Sequence, residues 1–253
     1  DENGPAELAQ LLTEAGFGAS IVTVLEALGG PGETIRSQVA MGFDLNDINP
    51  LNICALSIVA LPDARILPLT PGLDDALFTH DGQITKREIR ALTLSALAPR
   101  RSELLWDIGA GSGSVGIEWM LADTSLRAIA VEANEERAGR IAHNASACGV
   151  PDLQVVVGAA PAVLTDLEPP HAIFVGGGGS EPGVLDAAIA ALRPGGRLVV
   201  NAVTLELEAL LLARHAELGG RLTRVNVERA DAIGSMTAWQ PARPIVQWVW
   251  TKP

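Results

Sequence analysis

The stretch Leu104-Leu-Trp-Asp-Ile-Gly-Ala-Gly-Ser-Gly-Ser-Val-Gly116 decides how this chain is read. Leu104 to Ile108 is a short apolar run of strand length, and helical spacing begins near Val115. The turn between them therefore sits at a strand-to-helix junction, where Gly109, Gly111 and Gly113 let backbone amides approach a ligand closely. Ala110 and Ser112 are the small residues between those glycines. Glu132 closes the next apolar run, where a carboxylate can accept both hydroxyl protons of a ribose. Loop and acid together predict a nucleoside ligand.

Working outward, Ala128 to Val131, Leu153 to Val157, Ala172 to Val175 and Arg197 to Val200 also read as buried strands. Helical spacing falls between them, from Glu135 to Cys148, Val184 to Leu192 and Leu205 to His215. This alternation predicts a doubly wound α/β sheet. The last two strands, Leu222 to Val227 and Ile245 to Trp250, follow each other without a helix and predict an antiparallel hairpin at one sheet edge. Upstream, a helix from Pro5 to about Ala15, a strand through Ile21 to Leu25 and a buried strand from Asn52 to Leu61 form a smaller α/β fragment. Pro62, Pro68, Pro71 and Gly72 punctuate the chain after that fragment. The expected division is a partial domain at 1–65, a linker at 66–82 and a main domain at 83–253.

Two cofactor classes compete for the glycine loop, because Gly111, Gly113 and Gly116 also satisfy the dinucleotide pattern G-x-G-x-x-G. Asp107 tilts the choice. A buried carboxylate before the glycines would repel a pyrophosphate but suits the ammonium and sulfonium charges of S-adenosyl-L-methionine. Its plainer role is to cap the following helix. A nicotinamide-dependent oxidoreductase stays open as the alternative at this stage. After the third strand, Gly158-Ala159-Ala160-Pro161 offers small residues against which an adenine could stack. Phe174-Val-Gly176-Gly-Gly-Gly-Ser180 ends the fourth strand, where the methyl acceptor meets the cofactor in class I methyltransferases. Four consecutive glycines cost conformational entropy, which favours a functional loop over a spacer.

Composition narrows the partners. The 253 residues carry 18 basic and 30 acidic side chains, a net charge of −12 that would repel a phosphate backbone, so nucleic acid is not expected. Hydrophobic residues make up 48% and charged residues 19%, which excludes intrinsic disorder for the bulk. No run has the length of a membrane span, and the start lacks a signal-peptide pattern. Two cysteines, Cys54 and Cys148, without a CxxC or a cysteine-histidine cluster indicate a reducing, cytoplasmic setting and no metal site.

Further landmarks are Gly72-Leu-Asp-Asp-Ala-Leu-Phe-Thr-His-Asp-Gly82, Ile84-Thr-Lys-Arg-Glu-Ile-Arg90, Asn201-Ala-Val-Thr-Leu-Glu206 and Gly234-Ser-Met-Thr-Ala-Trp239. With the glycine loop, these resemble the decarboxylating methyltransferase part of the precorrin-6Y C5,15-methyltransferase family of cobalamin biosynthesis. The resemblance implies a class I S-adenosyl-L-methionine-dependent methyltransferase fold with a precorrin, a tetrapyrrole, as substrate. It implies methylation of carbon 15 and loss of carbon dioxide from the acetate on carbon 12. It also implies that Thr85, Gly109 to Gly113, Glu132 and Ala160 contact the cofactor. The same family places a homotetramer in view, and makes residues 1 to about 61 the end of a tetrapyrrole methylase domain whose N-terminal part is missing.

Two positions depart from that pattern: Ala159 and His171 stand where many relatives have acids. Thr85 also reads as a helix N-cap with Glu88 as its capping-box partner. A polycarboxylate substrate calls for a cationic rim, for which Lys86, Arg87, Arg221, Arg224 and Arg229 are candidates.

Overall fold

The computed structural model describes residues 1–62 and 64–253, which divide into two units, Asp1–Leu67 and Pro68–Pro253. In the first unit, helix α1 (Gly4–Glu14) packs on a sheet of β1 (Ile21–Glu26), β2 (Thr34–Val39) and β3 (Asn52–Ser57), ordered β2-β1-β3 with both pairs antiparallel. Strand β1 alternates, so Val22 and Val24 turn inward to meet Ala9, Ala40 and Ile48. Glu26 is buried at the end of β1. Hydrogen bonds from Arg36 first, then from the Asn49 amide, hold its carboxyl down at about 2.

Two expectations for this unit change. β3 stops at Ser57 and is not a buried strand: Ile53 is 63% exposed, because only one face of the sheet is covered by α1. Strand β2 escaped notice because Thr34, Arg36 and Gln38, on the face it shares with Val22 and Val24, are polar, which leaves a weak apolar alternation.

The second unit is built on a seven-stranded sheet. Its elements are α2 (Arg87–Leu97), β4 (Leu104–Ile108), α3 (Ser114–Leu121), β5 (Arg127–Glu132), α4 (Glu135–Ala147), β6 (Gln154–Val157), β7 (Ala172–Val175), α5 (Val184–Ala191), β8 (Arg197–Ala202), α6 (Leu205–Leu218), β9 (Arg221–Val225), β10 (Glu228–Ile233), β11 (Met236–Pro241) and β12 (Ile245–Thr251). The sheet order is β6-β5-β4-β7-β8-β12-β9. Strands β4 to β8 pair parallel and β12 is antiparallel to both neighbours; β6, expected as a buried strand, lies at the sheet edge with its ends exposed. This is the doubly wound α/β architecture that the alternation predicts. Chain order reverses between β4 and β7, which opens a crevice at their carboxyl ends.

The antiparallel edge is present, with Ile245 opposite Val225 and Val249 opposite Arg221. The inner strand of that edge is β12, whose Trp248 and Trp250 are buried and stacked. Between β9 and β12 the chain forms a second hairpin, β10–β11, exposed along its whole length and not read from sequence. Among the described residues no helix is long and apolar enough to cross a membrane.

Residues 72–82, expected as linker, are packed within the second unit. Leu73 and Phe78 are buried, and both oxygens of buried Glu118 accept backbone amides, from Gly72 at 2.7 Å and Leu73 at 2.9 Å. Arg90, fully buried on α2, donates to Glu118, to the carbonyls of Leu73 and Thr85, and to Asp75, and lies over the Phe78 ring at 4.9 Å. A buried guanidinium is tolerable only when its donors are matched in this way.

Replacing Arg90 by Leu is expected to lower the unfolding free energy by about 3–5 kcal/mol, because Glu118 is left as an uncompensated buried charge. Urea denaturation checks this; a loss well under 1 kcal/mol would contradict it.

Candidate active site

The turn after β4 has three glycines with positive φ, at 69° for Gly109, 60° for Gly111 and 74° for Gly113. At Gly109 the need is steric as well: a Cβ would lie 2.5 Å from the Gly177 carbonyl oxygen in the loop after β7. The turn is held from below by the Val131 carbonyl, which accepts from the amides of Gly109 and Ala110 at 2.9 and 3.1 Å. Glu132, buried at the end of β5, accepts the Gly111 amide on one oxygen at 2.9 Å and the Asn134 amide on the other at 3.0 Å. Each oxygen keeps acceptor capacity, as a ribose diol needs.

These residues border a cavity of about 770 Å³. Of the residues singled out in the sequence, Thr85, Gly109, Ala110, Gly111, Glu132, Ala159, Ala160 and Gly176 line it. Asp107, Ser112 and Gly113 do not. The Asp107 side chain lies beneath the loop at 1% exposure, and one oxygen accepts the Gly116 amide of the first turn of α3 at 3.0 Å. This bond is the plainer capping role. The other oxygen has no partner among the described residues. Burial above all raises the Asp107 carboxyl to about 7; the Gly116 amide opposes this, and the nearby Glu132 charge adds to it. Ser112 is buried with its hydroxyl unpartnered among the described residues, and Gly113 packs beneath Ile141.

The second wall of the cavity is the segment from Gly82 to Lys86, held against the glycine loop from two sides. Arg90 fixes the Thr85 carbonyl. Asn144 of α4 binds the amide and carbonyl of Thr79 at 2.8 and 2.9 Å while donating to the Ser112 carbonyl at 2.9 Å. The expected capping box is absent: Lys86 is the N-cap of α2 and no side chain caps it.

The far side of the cavity comes from β8, β9, β12 and the β10–β11 hairpin, with Asn201, Val203, Val225 and Ile245 on it. Asn201 is tied down, donating to Thr93 at 2.9 Å and accepting from Gln247 at 3.0 Å. Four cations, Lys86, Arg137, Arg229 and Arg243, line the cavity against two carboxylates, Glu132 and Glu181. Of the expected rim, Lys86 and Arg229 are in place, whereas Arg87 and Arg221 do not line it and Arg224 pairs with Glu208. Arg137, Glu181 and Arg243 were missed, and Asn201 was read only as part of a landmark of the resemblance. Glu181 and Arg243 carried no local signal because both stand on turns.

His171 is at the other end of β7, where its Nδ1 accepts the Leu104 amide at 3.0 Å; burial chiefly lowers its proton affinity. It belongs to the strand edge and is half-buried.

The sheet order, the glycine turn and the acid at the end of β5 define a class I S-adenosyl-L-methionine-dependent methyltransferase. The family described as "Precorrin methyltransferase domain" matches residues 76–252, and the chain belongs to it. Membership replaces the nicotinamide alternative.

A "Precorrin-6Y C(5,15)-methyltransferase [decarboxylating]" of Sinorhizobium sp is 62% identical over this whole chain, which spans 61% of that relative. This chain thus covers about three-fifths of the length of that protein. A "Probable cobalt-precorrin-6B C(15)-methyltransferase (decarboxylating)" of Pyrobaculum calidifontis is 36% identical over 70% of this chain and 93% of its own length. Among solved structures, the C-terminal domain of precorrin-6Y C5,15-methyltransferase from Rhodobacter capsulatus superposes with a TM-score of 0.70 at 48% identity, over 74% of this chain and all of that one.

The raised Asp107 carboxyl sets a pH dependence. Its folded value lies above the unfolded carboxylate value, so between about pH 4 and about pH 7 the native state holds the extra proton and stability falls as pH rises. The Asp107→Asn variant is expected to gain stability relative to the parent across that window, read as urea midpoints. A difference independent of pH would contradict the assignment.

Proposed function

We propose that the chain is an S-adenosyl-L-methionine-dependent C-methyltransferase that methylates carbon 15 of a precorrin and decarboxylates the acetate on carbon 12. The observation that carries this reading is one cavity with two chemically different halves: a glycine turn with a diol-accepting carboxylate on one side, an apolar wall edged by Arg229 and Arg243 on the other. Four cations border that cavity on a chain of net charge −12, three of them paired with carboxylates outside its lining, and this placement fits a polycarboxylate acceptor.

In this reading the Gly109–Gly111 backbone receives the methionine end, Glu132 the ribose and the Ala159–Ala160 turn the adenine, while Thr85 and Gly176 close over the reacting centre. When bound, the cofactor supplies an activated methyl group on a sulfonium. The acceptor is an electron-rich meso carbon, so the side chains act mainly by orientation, which can contribute roughly 7–11 kcal/mol. The apolar wall around Val203 and Val225 keeps water from the acetate, favouring dispersal of its charge into the macrocycle as carbon dioxide leaves.

Residues 1–65 are read as the end of a tetrapyrrole methylase domain, serving the carbon 5 methylation in the relatives' names. The sheet of the first unit leaves Ile21, Ile35, Val39 and Ile53 exposed on the face opposite α1, which supports a missing covering layer. A homotetramer is supported by the exposed Ile233, Met236 and Trp239 of the β10–β11 hairpin. A cytoplasmic setting accords with the two widely separated cysteines.

Incubation with precorrin substrate and S-adenosyl-L-methionine, read by mass spectrometry, is expected to show one methyl gained and one carbon dioxide lost. Two methyl additions by this chain alone would overturn the division of labour. In calorimetry, one cofactor should bind per chain, and Glu132→Ala should weaken it by about 1.5–3 kcal/mol, the range for hydrogen bonds to a charged group. Unchanged affinity would remove the ribose assignment.

A further inference from the structure

We infer that Arg243 is a carboxylate anchor in the acceptor half of the cavity, and that it binds a peripheral carboxylate of the substrate rather than the acetate that is lost. This rests on the reading of the acceptor as a carboxylate-bearing tetrapyrrole. Three of the four cations lining the cavity are already committed: Lys86 faces Asp75 at 3.5 Å, Arg137 pairs with Asp81 at 2.8 Å, and Arg229 pairs with Glu88. Arg243 has no hydrogen-bond or ion-pair partner among the described residues, although Glu181 lines the same cavity.

Its position explains how an unpaired guanidinium is held without penalty. Arg243 stands in the turn between β11 and β12, exposed to water, at the border of the apolar wall formed by Val225, Val227 and Ile245. A macrocycle lying against that wall desolvates the guanidinium, whose planar fork then matches a carboxylate in two parallel hydrogen bonds. The partner is not the reacting acetate, because an ion pair stabilises charge on a carboxylate, and that charge must leave it as carbon dioxide forms. A contact stronger in the ground state than in the transition state would slow the step. Arg243 therefore binds and orients, and its loss is read in substrate affinity rather than turnover.

The test uses R243Q and R243K in the full chain. R243Q is expected to raise KM for the precorrin about ten- to hundredfold, the effect of losing charge-assisted hydrogen bonds, with kcat within about threefold and S-adenosylhomocysteine affinity unchanged. R243K should recover part of the loss. A separate arm titrates an octacarboxylate porphyrin and its methyl ester by fluorescence. The parent chain should prefer the free acid, and R243Q should lose that preference.

An unchanged KM in R243Q overturns the anchor while leaving the proposed function standing. If the parent does not methylate precorrin, yet binds the acid porphyrin through Arg243, the function reading fails and the anchor stands. No preference for the acid by the parent, or an equal preference in R243Q, overturns the anchor whatever the turnover.

Discussion

The backbone of Gly109 meets the backbone of Gly177 so closely that any side chain at position 109 would collide with a carbonyl oxygen. This contact joins the loops after β4 and β7, the two strands between which the chain reverses its winding direction. The rest of the site depends on it. The glycine turn is pressed against the sheet end, its amides bind the Val131 carbonyl, and the Gly111 amide is presented to Glu132. The two loops that must face cofactor and acceptor are thereby held in one piece.

The opposite wall is fixed by buried polar chemistry. Segment 72–86 contributes little regular structure, only a short 3₁₀ turn at Asp75–Leu77, so its position depends on side chains from elsewhere. Glu118 and Arg90 satisfy its backbone from within the core, and Asn144 bonds to it and to the glycine loop together. Such pairs add little net stability against apolar replacements, but they demand one geometry and so specify where Thr85 stands.

Charge is distributed by burial as much as by composition. The chain is strongly acidic, yet its cavity is edged by a majority of cations. Asp107, which the sequence offered as a partner for a cationic ligand, is sealed beneath the loop, where low polarity raises its carboxyl to about 7. Glu132 is buried too, and each of its oxygens accepts one backbone amide, from Gly111 and from Asn134.

The alternating strands and helices of the second unit, the class of sheet and the identity of the glycine turn were legible in the sequence. Each is written in local periodicity or in residues adjacent along the chain, such as Gly109 to Gly113 after a strand. Glu132 was legible because the end of β5 is set by the same periodicity. Tertiary structure alone decided that Asp107 faces the core, that 72–82 is a packed wall, that β12 lies inside β9, and that Arg243 reaches the cavity while Arg224 does not. Apart from Asp107, whose bond to Gly116 is local in sequence, those outcomes depend on pairings between residues tens of positions apart, and only the folded chain brings the partners together.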